Sequence, residues 1–342
     1  MRHLSISEAM REAMIHGMET DERVILMGED VGRFNGAFGV SQGMLEQFGS
    51  KRVWDTPISE AGFMGIGIGA ALTGLRPIIE FQYADFMFCA MDQIVNEAAK
   101  LRLMSGGQAS VPVVMRAPQG ATGRAAQHSQ SVEAYFMHTP GLLVALPATP
   151  YDAKGLMLSA IRMNDPVLIL EHKLLYGAAS PGGGKALSDN TISDIGADVP
   201  EEAYTIPFGQ AVIRKEGTDI TLIATLVMMH RALAVAQDLE KEGISCEVID
   251  PRTIVPLDEE TILNSVRKTN RVVLISEDVQ RGGVNAEISS IIMAKAFDFL
   301  DAAVVMVSAA NTPVPFGPAS EKQVIPQYDH IKNAVYQVLK DD

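Results

Sequence analysis

Glu60 stands where a strand-like run, Val53 to Ile58, gives way to a glycine-rich helical pattern, Ala61 to Thr73. A carboxyl placed there can pass a proton to or from a bound group, which is worth about 10²–10⁴ in rate. It can equally be no more than an acidic residue in the first turn of a helix, where negative charge is favoured. Two other places carry groups able to do chemistry. Gly28-Glu29-Asp30 ends a short apolar run, Val24 to Met27, and reads as the loop after a buried strand. His128 lies in Gln127-His128-Ser129-Gln130, a polar patch between two strand patterns. A lone histidine in such a patch is either a proton carrier or a structural hydrogen-bonding group.

Several common sites are excluded. The sequence has no G-x-S-x-G nucleophile elbow and no HExxH pair. Gly184-Lys185 fails as a phosphate loop, because Ala179 and Ala186 stand where a Gly and a Ser or Thr belong. Gly65-Ile66-Gly67-Ile68-Gly69-Ala70 loosely matches a dinucleotide fingerprint, but Glu60 to Met64 separate it from the strand that should precede it. These glycines fall inside a helix, where each costs about 1 kcal/mol relative to Ala. They read better as small residues that let another backbone come close.

Cys89 and Cys246 are far apart and form no CxxC, so neither a disulfide framework nor a zinc site is indicated. Cys89 lies in an apolar helix-like run and reads as core. A reducing compartment, the cytoplasm, fits best. Acidic residues outnumber basic ones 42 to 28, for a formal charge of −14. That balance argues against nucleic acid and suits solubility or a basic protein partner. No apolar run approaches the roughly 18 residues of a membrane span, and the amphipathic start carries no secretory signal core.

The elements that must position these groups alternate along the chain. Ile6, Ala9, Met10, Ala13, Met14 and Met18 mark a first helix, with Ser5 and Glu8 as its capping box. Strands follow at Val24 to Met27, Val53 to Ile58, Pro77 to Tyr83, Val111 to Arg116, Leu142 to Leu146 and Val167 to Glu171. Phe86 to Leu103 and Asp152 to Ile161 are the helices among them. Such alternation specifies a mostly parallel sheet covered on both faces. The pattern breaks near Gly177 to Pro207, around Ser180-Pro181-Gly182-Gly183-Gly184. It then resumes as a second, smaller α/β domain. The expected division is 1–180, a Gly-rich linker at 181–206, and 207–342.

Asp55 to Gly62 resembles the beta subunits of thiamine-diphosphate-dependent 2-oxoacid dehydrogenases. The same family shows the motifs found here at Gly28 to Asp30, Thr73 to Glu80, Asp92 to Lys100, Met104 to Gly107 and Ala125 to Ser131. Further matches are Pro140 to Leu142, Asp152 to Leu156, Asp250 to Thr253 and Thr312 to Phe316. The matches run in order over nearly the whole chain, which is far more specific than any one of them.

The resemblance implies an α/β fold: a parallel-sheet pyrimidine-binding domain followed by a smaller transketolase C-terminal-like domain. It implies an α2β2 assembly with thiamine diphosphate held between an alpha and a beta subunit. The family's diphosphate and Mg²⁺ ligands sit in a GDG motif, and no GDG occurs here; the alpha subunit would therefore hold both. Glu60 matches the glutamate that hydrogen-bonds N1′ of the aminopyrimidine, which favours the imino tautomer and lets N4′ accept the proton from C2. Phe86 matches an aromatic ring against the pyrimidine. Glu29 matches a glutamate near the same end of the cofactor. His128 matches a histidine that assists proton transfer or handover of the acyl group to a lipoyl domain. His138 has no such match and reads as structural.

Some relatives bind a structural potassium ion at positions matching Ala160, Met163 and Asp165. Here Met163 replaces an acidic residue, leaving backbone carbonyls as ligands. The implied activity is oxidative decarboxylation, of pyruvate above other 2-oxoacids, with acyl transfer to a lipoyl domain of the acyltransferase component. Acetoin cleavage is an alternative. So is a mainly scaffolding role, docking the acyltransferase's subunit-binding domain. A self-sufficient transketolase-type enzyme is disfavoured by the missing diphosphate motif and the short chain.

Overall fold

The computed structural model describes residues 2–176 and 197–340. Residues 181–196 of the expected linker lie outside the described residues. The chain forms two compact units; within the described residues the first comprises 2–119, 135–176 and 197–208, and the second 120–134 and 209–340. Residues 120–134, read from the sequence as part of the first domain, thus group with the second unit.

The first unit contains strands β1 (Arg2–Leu4), β2 (Val24–Gly28), β3 (Val53–Asp55), β4 (Arg76–Glu80), β5 (Val114–Gln119), β6 (Leu143–Ala145), β7 (Val167–His172) and β8 (Ala197–Val199). Its main helices are α1 (Ile6–Thr20), α2 (Met44–Phe48), α3 (Glu60–Leu72), α4 (Leu101–Met104), α5 (Glu133–Met137, shared at its start with the second unit) and α6 (Pro150–Arg162). Six strands run parallel in the order β6-β7-β5-β4-β2-β3. Every residue of β2, β5 and β7 is buried, as a sheet covered on both faces requires. The capping box of α1 is present, with Ser5 and Glu8 each bonding the other's backbone. It satisfies N–H groups that the first turn leaves open.

The expected single helix over Phe86 to Leu103 is instead a 3₁₀ segment (Ala84–Ala90), a π segment (Asp92–Ala98) and the one-turn α4. The apolar face is buried all the same: Ala84, Met87, Ala90, Ile94 and Ala98 are each at most 1% exposed. The buried positions follow the winding. Steps of three from Ala84 to Ala90 suit 3.0 residues per turn, and steps of four follow. Cys89 falls on the outer side of that tight turn and is exposed, not core as its apolar neighbours suggest.

The described end of the expected linker is strapped to α6. β8 pairs antiparallel with β1. The Lys154 ammonium donates to the carbonyls of Pro200 and Glu201, at 2.6 and 3.1 Å. Tyr204 stacks on Tyr151 with ring centroids 4.6 Å apart. Gly155 makes room, since a Cβ there would come within 2.5 Å of Ile206. None of these contacts has a periodic signature in sequence.

The second unit holds β9 (Val212–Lys215), β10 (Ile220–Ala224), β11 (Cys246–Asp250), β12 (Thr253–Val255), β13 (Val272–Val279) and β14 (Val305–Ala309). Five of them form a sheet ordered β14-β13-β10-β11-β9, parallel except for β9. Helices α7 (Leu226–Glu240), α8 (Glu259–Thr269), α9 (Val284–Ala296), α10 (Pro318–Val324) and α11 (Tyr328–Lys340) complete it.

Candidate active site

Glu29, Asp55 and Glu80 stand at or just past the carboxyl ends of parallel strands in the first unit. In open parallel sheets, ligands bind in the crevice beyond those carboxyl ends. β2 ends at Gly28 and β3 at Asp55, two residues in direct register. The Thr56 amide then donates to the Gly28 carbonyl at 2.9 Å. Glu29 and the segment leading to Glu60 are thereby held side by side. A Cβ on Gly28 would meet the Glu80 carbonyl at 2.4 Å, so only glycine permits this closeness of β2 and β4.

Glu60 is the first residue of α3 and is half-buried. Glu29 is buried at 5% exposure, and its Oε1 has no hydrogen-bond partner. Burial first, then the charges of Glu60 and Asp30, push the Glu29 carboxyl up to about 7. Thr56 Oγ1 is likewise buried without a partner. Unpaired buried groups are rare and often mark a place for a ligand or ordered water.

Phe86 is half-buried and meets Tyr83 edge to face at 5.8 Å. Phe38 continues the ring cluster, 5.6 Å from Tyr83 and 5.3 Å from Tyr176. Gly67 seats α3 on the sheet, because a Cβ there would come within 2.2 Å of Ile79. Gly65 and Gly69 lie on the opposite, exposed face of the helix. The neighbours that Gly67 admits are the side chains of Ile79 and Met27, not the backbone expected from the glycine run.

Sequence reasoning missed a charged network joining β4, β5 and β7. Arg116 lies between Glu80 and Glu171, bonding Glu171 at 2.8 and 2.6 Å and pairing with Glu80. Tyr176 donates to Glu171 at 2.8 Å. All four are essentially inaccessible to water. Burial raises the Glu80 carboxyl above its ordinary range, although Arg116 opposes the shift. The available signal was a charged residue directly after an apolar run in each of three strands: Glu80, Arg116 and Glu171.

His128 belongs to the second unit, in the loop 120–134, and is half-buried. On either side of it in the sequence, Thr122 Oγ1 and Ser129 Oγ are buried without partners. The positions considered for a potassium ion are otherwise engaged. The Ala160 carbonyl accepts the Met163 amide at 3.1 Å, the Met163 carbonyl accepts from the Arg76 guanidinium, and Asp165 pairs with Arg102 at 2.5 Å. Two guanidinium groups thus sit at two of the three positions, on the Met163 carbonyl and the Asp165 carboxylate.

Two domain families match the chain: the transketolase pyrimidine-binding domain over residues 2–178 and the transketolase C-terminal domain over 209–331. A beta subunit of the pyruvate dehydrogenase E1 component from Rickettsia felis is 47% identical over 336 residues, covering 98% of each chain. The chain belongs to the E1 beta-subunit family of the 2-oxoacid dehydrogenases. Members named for other substrates are nearly as similar. In Bacillus subtilis, the beta subunit of acetoin:2,6-dichlorophenolindophenol oxidoreductase is 43% identical, covering 99% of this chain and 98% of its own. The 2-oxoisovalerate dehydrogenase beta subunit is 42% identical, covering 99% and 100%. Among solved structures, a split-gene transketolase, described as an inactive beta4 tetramer, superposes with TM-score 0.78 at 21% identity, covering 99% of both chains. That likeness shows the fold. As an E1 beta subunit the chain is part of an oxidoreductase, and among its described residues no helix is long and apolar enough to cross a membrane.

Proposed function

We propose that this E1 beta subunit supplies the pyrimidine half of a thiamine diphosphate site, with Glu60 as the carboxyl at N1′. The Glu29–Glu60 pair carries this reading: a buried carboxyl with an unpartnered oxygen, held beside a second carboxyl at the strand ends. An aminopyrimidine offers ring nitrogens and an amino group to such oxygens, and Phe86 offers a ring edge or face to its π system. When bound, thiamine diphosphate supplies the electron sink for cleaving the bond beside the substrate carbonyl.

This chain's residues then place and move protons. Glu60 holds or yields a proton at N1′. Glu29, its pKa pushed up to about 7, stays partly protonated beside Glu60. His128 moves a proton during release or handover of the acyl group. An alpha subunit would complete an α2β2 assembly and hold the diphosphate and Mg²⁺, and the chain alone would be inactive. The acyl acceptor is a lipoyl domain of the acyltransferase, whose subunit-binding domain docks on this subunit. The proposed domain plan is 1–180, 181–206 and 207–342, with 120–134 grouped with the second unit and 197–206 with the first.

Pyruvate is the favoured substrate, because the relatives at 45–47% identity carry that name; acetoin is the second reading, on the 43% identical relative. The test is to reconstitute the chain with its alpha partner and measure dye reduction with pyruvate, branched 2-oxoacids, 2-oxoglutarate and acetoin. Turnover by the lone chain would overturn the two-subunit reading. Full turnover by a Glu60→Ala pair would remove the assignment of Glu60.

A further inference from the structure

Residues 120–134 are gripped by two carboxylates from separate elements of the second unit. Glu277, in β13, accepts the Ala121 amide at 2.6 Å. Glu321, in α10, accepts the Gly123 amide at 2.7 Å. Both acids are buried, at 7% and 2% exposure. The loop also closes on itself: the Gly120 amide donates to the Gln130 carbonyl at 3.2 Å and the His128 amide to the Ala125 carbonyl at 3.4 Å.

Two features show that this grip is built. The register of β13 against β14 shifts between Ile275 and Val279. A regular strand points neighbouring side chains to opposite faces, and an irregularity re-aims them. Here the adjacent Glu277 and Asp278 are both buried and both hold backbone amides, Asp278 taking that of Val284 at 2.6 Å where α9 begins. Second, Ala125 has φ of 62°. A side-chain-bearing residue stays in that region only where its surroundings over-determine it.

Buried carboxylates are costly unless fully bonded. A loop that needed only covering would be served by apolar residues. Charge-assisted bonds are shorter and roughly twice as strong as neutral ones, so two of them fix a backbone closely. We propose that Glu277 and Glu321 are positioning residues, clamping loop 120–134 and thereby setting His128 for its step. The functional part rests on the role proposed for His128.

The experiment uses the reconstituted α2β2 enzyme with its fastest substrate from the panel above. Hydrogen exchange of the peptides spanning 120–134 is measured in Glu277→Ala, Glu321→Ala and the matching Gln variants, which keep an acceptor oxygen. The Ala variants should exchange at least tenfold faster in this loop, with kcat lowered and KM little changed, and the Gln variants should restore both. The double variant His128→Ala with Glu277→Ala should be no slower than His128→Ala alone. Unchanged loop exchange in the Ala variants would overturn the clamp. So would faster exchange across the whole second unit that Gln fails to reverse, since that marks a core role. Faster loop exchange together with wild-type turnover by His128→Ala would uphold the clamp and remove the role of His128 instead.

Discussion

Glu29 and Glu60 form an unequal pair: Glu29 is buried with one oxygen unpartnered, and Glu60 is half-buried and raises the Glu29 pKa. Burial and the neighbouring carboxyl both disfavour the charged form of Glu29 and push its pKa up to about 7.

That relationship has a signature in stability. The folded-state pKa of Glu29 is about 7, above its ordinary 4.5. Between these values the folded chain holds a proton that the unfolded chain has released, so stability falls as pH rises from about 4.5 to about 7. Glu29→Gln removes this contribution. Urea midpoints of wild type and Glu29→Gln should draw apart in the variant's favour on going from pH 5 to pH 8. Parallel curves would exclude the shifted carboxyl.

Glu60→Ala and Glu60→Gln in the reconstituted pair should lower turnover by roughly 10²–10⁴, the usual worth of a positioned acid–base group. Steady-state rates at saturating thiamine diphosphate separate this from lost cofactor affinity.

Phe86→Ala should act on affinity. Stacking is worth about 0.5–1.5 kcal/mol beyond area, which corresponds to roughly 2- to 12-fold in apparent Kd. A thiamine diphosphate titration of the apoenzyme pair reads it directly.

Arg116→Met should destabilise the first unit by about 3–5 kcal/mol, because it leaves Glu80 and Glu171 buried without their cation. Adding Glu171→Gln should recover part of the loss. Chemical unfolding followed by circular dichroism measures both.

The glycines of α3 should respond in opposite directions. Gly67→Ala places a Cβ within 2.2 Å of Ile79, and overpacking of this sort costs about 1–3 kcal/mol. At Gly69 nothing lies within 4 Å, and Ala gains up to about 1 kcal/mol of helix propensity. Unfolding midpoints of the two single variants should therefore move apart.

Periodicity and turn residues by themselves determined much of this protein. Apolar runs such as Val24 to Met27 and Val167 to Glu171 are buried strands because a covered parallel sheet needs no polar face. Ordered motifs marked Glu29, Glu60, Phe86 and His128, since their residue types and spacing are local facts. Tertiary structure decided what depends on neighbours distant in sequence. It set the winding of Ala84–Ala90 and Asp92–Ala98, where three- and four-residue steps of the same apolar face are fixed by packing. It joined Glu80, Arg116 and Glu171 from three strands into one buried network. It also grouped 120–134 with the second unit, through carboxylates at Glu277 and Glu321 that lie more than 150 residues further along. Local pattern records which face of an element is apolar; the partners of its polar groups exist only once the chain has closed on itself.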